Sequence, residues 1–500
     1  MDCRPSTNTL PHRRHARACV RVALASLLAG TVQATAADGL PGVGRVEDGL
    51  AQVVDDALAA NLELRAGSAS VQQRMAALDQ ARARFLPVLD LAARYSVADG
   101  GRTIDFPAGD LLNPVYAMLD QMLVADGQPP RFPRVQNEEI ALLRPREQET
   151  KLVVEQPIYE PRIGPGVEAG RQELNRAEAN LAALRARVVR DTRQAYYQWL
   201  AAQQAVAVLE ATRDLARANL DANSSLYRNG KVTRDLVYRA EADVLEVEQQ
   251  HLAAASRVRL AQSYVNLLRN APLGDALPAS QIDSDTVDRF RERFVRRLAG
   301  RDPDLELLQA LATEGRAELT GLDAAIAVGE ARQDLARAAF KPRLAFGAEA
   351  GIQGEEYGMG DDERYVLASV ILRWNAFRGG ADRAALREAR ALTEELRATR
   401  DLAAQQVRLD VQRALEDVEV AEASLETAFK RTEAAEGAFR IASRKRDLGQ
   451  INQAEFIDSR RALTDARLNL TRVRAEFLAR LAELEYAVGD TRSLSQEPYT

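Results

Sequence analysis

Residues 81–95, ARARFLPVLDLAARY, decide the fold because a helical sequence changes to a strand-like sequence within them. The first half has the charged, alanine-rich character of a helix end, whereas apolar residues occupy alternate positions from Leu89 to Tyr95. Alternation with a period of two is typical of a half-buried strand. A Phe-x-Pro step, Phe85 to Pro87, stands at the change. The stretch therefore predicts a helix that passes directly into a strand.

The same arrangement recurs in residues 336–350, ARAAFKPRLAFGAEA, with Phe340 and Pro342 at the joint. Apolar residues predict two return strands, at 151–159 and 365–374. An aromatic residue follows or ends each return strand, and a glycine-containing break separates it from a long helix. The two aromatic residues are Tyr159 and Phe377, and the breaks are at 164–166 and 379–380.

Two segments without glycine or proline, 171–229 and 381–436, are rich in Ala, Leu, Arg, Glu and Gln, which favour helices. The first would be about 90 Å long at a rise of 1.5 Å per residue, which is longer than a globular domain needs. Each segment leads to a glycine, Gly230 or Gly449, and then to a second helical pattern. Because glycine is common just after a helix, each segment predicts an antiparallel helical hairpin.

The order of these elements repeats, so the chain is predicted to be an internal duplication. Each half has a helix, two strands, a long helix and a second helix. The helix before Phe340 is expected to be longer than the one before Phe85. The predicted organisation is a signal peptide (1–37), a first repeat (38–270) with a β-hairpin at 87–159, a linker (271–286), a second repeat (287–489) with a β-hairpin at 342–374, and a short C-terminal tail (490–500).

The N-terminal residues have the pattern of a secretory signal peptide. Arginines between Arg13 and Arg21 precede the short apolar run VALASLLAGTV (22–32), and small residues follow it. The alternative is a poorly ordered N-terminal arm. Both cysteines, Cys3 and Cys19, belong to this segment, so the predicted mature chain contains no cysteine.

Charge and the scarcity of reactive side chains exclude several functions. The chain has 67 Lys and Arg and 73 Asp and Glu; the predicted signal peptide carries five Arg and one Asp, which leaves 62 and 72 and a net charge of −10. A nucleic-acid partner is therefore disfavoured. His251 is the one histidine outside the signal segment, and the sequence has no phosphate-binding, serine-hydrolase or zinc-protease motif. We expect neither catalysis nor a metal or cofactor.

Four strands are too few to close a membrane-spanning sheet, which needs about eight. No apolar run after the signal segment approaches the ~20 residues of a membrane helix, so a membrane-embedded chain would cross as strands. Lipid does not tolerate open strand edges, so other copies of the chain must complete the sheet, and three copies would supply twelve strands. The alternative is a non-transporting periplasmic coiled-coil scaffold or adaptor, which would explain the helices but not the strands.

Several motifs, taken in order, resemble the TolC-like outer-membrane efflux protein family across nearly all of the predicted mature chain. They are ALAANLELR (57–65), the two Phe-x-Pro joints, QPIY (156–159), WNAFRGG (374–380), and Leu448-Gly449 followed by Phe456-Ile-Asp458. The resemblance implies a mainly α fold with a membrane β-barrel. Long helical hairpins would form a coiled-coil tunnel, and four strands per chain would complete a twelve-stranded trimeric barrel.

The resemblance also implies a location, a function and partners. The chain would be a homotrimer in outer-membrane lipid, with its helices in the periplasm, and would serve as the exit duct of a tripartite efflux pump or type I secretion system. Its partners would be a periplasmic adaptor (membrane fusion) protein and an inner-membrane pump. Small molecules, metals and polypeptides are all candidate cargo.

The resemblance assigns roles to residues near the predicted hairpin tips. The acids six and nine positions after the second glycine, Glu455 and Asp458, are expected to form carboxylate rings at a periplasmic gate. The alternative is an ordinary helix start, where acids are favourable. The first hairpin has Leu236 where an acid is expected. The gate latch predicted instead involves Arg234, Asp235 and Arg239. The expected adaptor contacts are Asn229, Gly230, Lys231, Leu448, Gly449 and Gln450.

A junction between barrel and tunnel is predicted where helices meet strands. Its residues are Phe85, Pro87, Tyr159, Phe340, Pro342 and Phe377. Aromatic residues belong at such a membrane interface; the alternative is ordinary core packing. Residues 97–150 form a long loop that is expected outside the cell, and 111–123 within it predicts a short amphipathic helix. The loop either narrows the mouth of the duct or decorates it.

Overall fold

The computed structural model describes residues 45–298 and 304–489, apart from 357 and 359. The predicted signal peptide and C-terminal tail lie outside the described residues. The helices are α1 (Val46–Ala60), α2 (Leu62–Ala83), α3 (Ala108–Ala125), α4 (Ile163–Arg228), α5 (Arg234–Leu268), α6 (Ser284–Arg297), α7 (Leu305–Gly315), α8 (Ala317–Ala338), α9 (Ala381–Asp447) and α10 (Gln453–Ala487). The strands are β1 (Val88–Val97), β2 (Thr103–Phe106), β3 (Glu138–Ala141), β4 (Arg146–Tyr159), β5 (Arg343–Gly354) and β6 (Arg364–Arg373).

Two pairs of long antiparallel helices dominate the fold, as the helix-forming segments predict. The 66-residue α4 packs against α5, and the 67-residue α9 packs against α10. Contacts between α4 and α10 and between α4 and α8 join the two halves of the chain. None of the described helices combines the length and the apolar character that crossing a membrane requires.

Helix α4 begins earlier than the sequence predicts. Gly164, Pro165 and Gly166 lie in its first turn, so the predicted break at 164–166 was wrong. Proline is favourable there because the first N–H groups of a helix have no partner inside the helix. The second break is confirmed: Gly379 and Gly380 have φ values of +61° and +86° directly before α9.

The helices that precede the two Phe-x-Pro joints are equally long. Both α2 and α8 have 22 residues, so the expectation of a longer second helix was wrong. The continuous helical pattern before Phe340 is interrupted at Arg316, whose backbone is extended (φ −74°, ψ 119°). Asn61 makes the corresponding interruption in the first half, where its side chain accepts hydrogen bonds from the N–H groups of Glu63 and Leu64 and so caps α2.

The main hydrophobic core lies where the short helices pack against the middle of the long hairpins. Tyr196 and Tyr197 of α4 are fully buried, and the Tyr197 ring meets Phe290 of α6 edge to face at 5.9 Å. The Tyr196 hydroxyl donates to the backbone oxygen of Pro278 at 2.6 Å. Together with buried Ile282, this contact shows that the segment predicted as a linker is part of the core.

A buried ion pair crosses this core. Arg193 of α4 bonds to Glu485 of α10, and both side chains are almost completely shielded from solvent. Burial, the largest single effect, would lower the pKa of Arg193, but the charge and hydrogen bond of Glu485 together with those of Tyr197 outweigh it and raise that pKa. Because separating such a pair leaves an uncompensated buried charge, it holds the two hairpins in register.

The four predicted strands form one antiparallel sheet in the order β1–β4–β5–β6. Val88 pairs with Glu155, and Arg343 pairs with Arg373. Both β-hairpins therefore have the strand ends nearest the helices at the same end of the sheet. Pairing of β4 with β5 joins the two hairpins. The outer strands, β1 and β6, each have one unpaired edge. Two short strands that the sequence does not predict, β2 and β3, pair separately.

The sheet has one apolar face and one polar face. In-register positions on the apolar face include Leu91, which is 75% exposed, and Val366, which is 82% exposed. On the opposite face, Lys151 lies 3.0 Å from Glu349 and 3.2 Å from Glu149. A face of exposed Leu, Val and Tyr is unusual on a monomer surface and indicates contact with lipid or another apolar surface.

Candidate functional site

The two tips of the long hairpins have the same backbone geometry. Gly230 and Gly449 have φ values of +69° and +68°, in the left-handed region that glycine adopts most readily. The N–H of Lys231 donates to Leu226 O at 3.0 Å, and the N–H of Gln450 donates to Lys445 O at 2.7 Å. Both tips are therefore Schellman motifs, in which glycine ends the long helix and its last carbonyls are bonded.

The residues predicted to contact an adaptor lie exposed at these tips. Asn229, Lys231 and Gln450 are polar and open to solvent, and Leu448 is 70% exposed. A Cβ atom built at either glycine has no neighbour within 4 Å. Each tip thus presents exposed polar side chains, and the second tip adds the exposed apolar side chain of Leu448.

The predicted gate residues Glu455 and Asp458 lie at the start of α10 and point away from its packed face. Asn452 caps the helix by accepting a hydrogen bond from the Glu455 N–H at 2.8 Å. Phe456 and Ile457, between the two acids, are buried, and the Arg446 guanidinium stacks 4.0 Å from the centre of the Phe456 ring. Anchoring at Phe456 and the cap leaves both carboxylates exposed on one side of the helix.

The residues predicted as a gate latch make local contacts. Arg234 lies over the ring of Tyr238 at 5.1 Å, and Asp235 accepts a hydrogen bond from the Thr233 hydroxyl. Arg239 is exposed. Within the described part of the chain, no hydrogen bond or ion pair links these three residues to the second hairpin.

A different pair joins the two hairpins just above the tips. Arg460 of α10 donates to Asp243 of α5 at 2.6 Å, and their side chains are 3% and 2% exposed. Arg461 approaches the same carboxylate at 3.7 Å and bonds to Glu246 at 2.5 Å. Burial raises the pKa of Asp243, and the two arginines offset only part of that rise.

Sequence reasoning missed this pair because 217 residues separate its members. One signal was present. Asp243 lies thirteen residues after Gly230 and Arg460 eleven after Gly449, so both stand at similar heights above equivalent turns. A charged residue on the packed face of each hairpin, at similar height and of opposite sign, indicates a pair.

The predicted junction residues lie together at the helix-proximal end of the sheet. Phe85 and Phe340 precede β1 and β5, Tyr159 ends β4, and Phe377 follows β6. Their side chains are 42–83% exposed, which disfavours ordinary core packing. Backbone oxygens hold the joints, since Gln156 Nε2 donates to Phe85 O at 2.9 Å and Trp374 Nε1 donates to Phe340 O at 3.1 Å. Pro87 and Pro342 each directly precede a strand.

Among the described residues, no group of three or more His, Cys, Asp or Glu side chains is arranged to hold a metal ion. The features on view are an open sheet with one apolar face, two long helical hairpins and a pair of acids beside a tip. This combination defines a membrane-associated duct component.

Comparison with known proteins identifies the family. Residues 149–269 and 308–490 match the family of outer membrane efflux proteins, so this chain belongs to that family. Its location is the cell outer membrane. Protein CyaE of Bordetella pertussis is 31% identical over 194 residues, which are 38% of this chain and 41% of that protein. The match therefore spans less than half the length of that relative.

Solved structures show the same fold over most of the chain. The structure of CusC, described as forming a transmembrane channel, matches with a TM-score of 0.71 at 15% identity, over 90% of this chain and 95% of CusC. The CmeC outer membrane channel of Campylobacter jejuni matches with a TM-score of 0.68 at 14% identity, over 93% of this chain and 92% of CmeC. These likenesses confirm the predicted combination of long helical hairpins with a four-stranded sheet.

Proposed function

We propose that three copies of this chain form a channel-tunnel that serves as the exit duct of an efflux pump or type I secretion system. One observation carries the proposal: a sheet with an apolar face, a polar face and two open edges continues directly into two long helical hairpins. The apolar face would meet outer-membrane lipid, and the hairpins would extend through the periplasm.

The open edges explain why copies are needed. β1 and β6 have ten residues each, which is the length of a tilted membrane-crossing strand. Because every backbone polar group must be bonded in lipid, an isolated four-stranded sheet is excluded there. Strand directions alternate across the sheet, so β6 of one copy would pair antiparallel with β1 of the next. Three copies would close a twelve-stranded barrel, within the size range of such barrels.

The polar face would then line the lumen. Arg94 lies 3.4 Å from both Glu147 and Glu149, and the Lys151 ammonium bridges Glu149 and Glu349. These opposite charges pair with each other inside one copy, which suits a hydrated passage that does not retain a charged cargo. A non-transporting scaffold is disfavoured because it would have no use for an exposed apolar sheet face.

The tips would form the gate. In a trimer, Glu455 and Asp458 would each occur three times around one axis, and rings of carboxylates favour cations. The Asp243–Arg460 pair would keep the acid-bearing start of α10 packed against the first hairpin. A gate that opens by moving α10 outward would have to separate this pair.

A periplasmic adaptor and an inner-membrane pump would complete the pathway. The exposed residues at both tips, including Leu448 and Lys231, would receive the adaptor. Small molecules, metal ions and polypeptides are candidate cargo, and the pump would select among them. The chain would perform no chemistry itself.

Conductance of the purified chain in planar lipid bilayers tests the duct. The proposal expects discrete channels of low conductance in the closed state, and a larger conductance when Arg460 is replaced by alanine. Absence of conductance from correctly assembled, lipid-inserted protein would overturn the proposal.

A further inference from the structure

Helix α3, in the long segment between β1 and β4, carries an apolar stripe that nothing in the described chain covers. Leu111, Val115, Met118 and Met122 stand at helical spacings of three and four residues. They are 64%, 46%, 58% and 65% exposed. A stripe of this kind along most of an 18-residue helix indicates a partner surface.

The opposite side of α3 is held firmly by its own chain. The Asn113 amide exchanges hydrogen bonds with the backbone of Val135 at 2.8 and 2.9 Å. Asp120 accepts from the N–H of Arg131 at 2.8 Å, and the rings of Tyr116 and Phe132 lie 5.1 Å apart. Since these contacts fix the rotation of the helix, the stripe has a defined outward direction.

The segment that carries α3 is rooted at an open edge of the sheet. The N–H of Ala98 donates to Pro145 O at 3.0 Å, and the N–H of Leu142 donates to Arg102 O at 2.9 Å, so β1 and β4 continue into the β2–β3 ribbon. β1 is the edge strand against which the next copy would pair. The seam between copies therefore continues to the base of α3.

We propose that α3 packs its apolar stripe against α3 of the other copies, around the threefold axis at the outer end of the duct. This inference rests on the trimer of the proposed function and adds a contact that closure of the sheet does not require. It makes the outer mouth narrower than the barrel below it.

The charge of α3 favours another copy of the chain over a lipid surface as the partner of the apolar stripe. Helices that lie in a membrane interface are rich in Lys and Arg on their polar side. α3 contains Asp110 and Asp120 and no basic residue. Acidic side chains would be repelled by anionic lipid headgroups, whereas they tolerate a neutral apolar contact between identical helices.

Site-directed cross-linking tests the contact, because Cys3 and Cys19 both fall in the predicted signal peptide and leave the mature chain without cysteine. We would compare Met118→Cys with the control Val124→Cys on the other side of α3, since these residues are 58% and 57% exposed. A short bis-maleimide would be added to outer-membrane vesicles that contain the mature chain. The inference expects covalently joined chains from Met118→Cys and much less of that product from Val124→Cys.

A second variant and a mass measurement make each outcome decisive. Met122→Cys, on the same stripe, should also cross-link. A trimer of correct native mass that yields no cross-link at 118 or 122, or yields equal amounts at 124, overturns the α3 contact and leaves the duct intact. Quenching of a dye at 118 by nitroxide-labelled lipid in that trimer would assign the stripe to the membrane instead. A monomer in native mass measurements would overturn both the contact and the duct.

Discussion

The Arg460 guanidinium lies 2.6 Å from the Asp243 carboxylate, and both side chains are buried between α5 and α10. This pair stands directly above the hairpin tips and is the described ionic link there that is most completely shielded from solvent. Buried pairs are costly to break because each partner would be left with an unsolvated charge. The pair therefore holds the start of α10 in a defined position against α5.

Replacement of one member of the pair should loosen the tips. Arg460→Ala leaves Asp243 buried without its main partner, and we expect a local loss of about 3–5 kcal/mol. Hydrogen–deuterium exchange should accelerate in the tip-proximal turns of α5 and α10, and channel conductance should rise. Arg461→Ala is the control, because its half-exposed side chain makes contacts that contribute about 1 kcal/mol or less. Equal effects of the two variants would contradict the assignment.

An apolar replacement should separate stability from gating. Asp243→Leu combined with Arg460→Met removes both charges, and such replacements are commonly neutral or stabilising. Hydrogen–deuterium exchange in α5 and α10 should therefore be slow again, although the charges of the pair are absent. If hydrogen–deuterium exchange in the double variant is as fast as in Arg460→Ala, α5 and α10 need the ion pair itself in order to pack, and this expectation is wrong.

Stability of the tip region should depend on pH through Asp243. Burial raises its pKa above the ordinary value of 3.8, so the folded chain holds this proton more tightly than the unfolded chain. The corresponding stabilisation is complete below 3.8 and is lost as the pH rises through the folded-state pKa. The free energy of unfolding of the unmodified chain minus that of Asp243→Asn should decrease over this window. A difference that increases with pH would contradict the conclusion that burial affects the pKa of Asp243 more strongly than its two arginine partners do.

Substitution of a tip glycine should cost backbone strain only. Gly230→Ala and Gly449→Ala force a Cβ into the left-handed region, at a cost of roughly 1–2 kcal/mol each, but their Cβ atoms meet open space. We expect lower thermal stability with an intact trimer. Gly437→Ala, within α9 and also in open space, is the matched control and should stabilise by about 0.5–1 kcal/mol. Loss of the trimer in either tip variant would reveal a role in assembly.

The acids at the start of α10 should determine ion preference. With Glu455→Ala and Asp458→Ala combined, cation selectivity should fall, as measured by the reversal potential in a salt gradient. Asp79→Ala, an exposed acid of α2 far along the chain from the tips, should leave the reversal potential unchanged. An unchanged potential in the α10 variant would favour the alternative that these acids merely suit a helix start.

The sequence predicts the fold well where a local pattern determines the structure. Alternating residues after Phe85 and Phe340 predict β1 and β5, and glycines at 230 and 449 predict both hairpin turns, because strand period and left-handed backbone are local properties. The early start of α4 was missed because Gly164, Pro165 and Gly166 together favour a break in a helix. Proline is tolerated in the first turn of a helix, but the sequence alone does not show that this run lies there. The interruption at Arg316 was missed because its buried side chain depends on Glu318 and on Tyr486, far away in sequence.

The candidate site is less predictable than the fold. The prediction of Glu455 and Asp458 as gate residues comes from the family resemblance at the turn of Gly449, whereas the Asp243–Arg460 pair requires knowledge of how α5 and α10 lie together. The same holds for α3, whose existence the sequence predicts, whereas the exposure of its stripe depends on the contacts of Asn113 and Asp120 with the segment that follows.

The native mass of the mature chain, extracted from outer membranes in mild detergent, tests the central claim most directly. Three copies in one particle would agree with a shared barrel completed across the open edges of β1 and β6. A stable monomer, or protein that leaves the membrane without detergent, would contradict the duct and indicate a periplasmic scaffold.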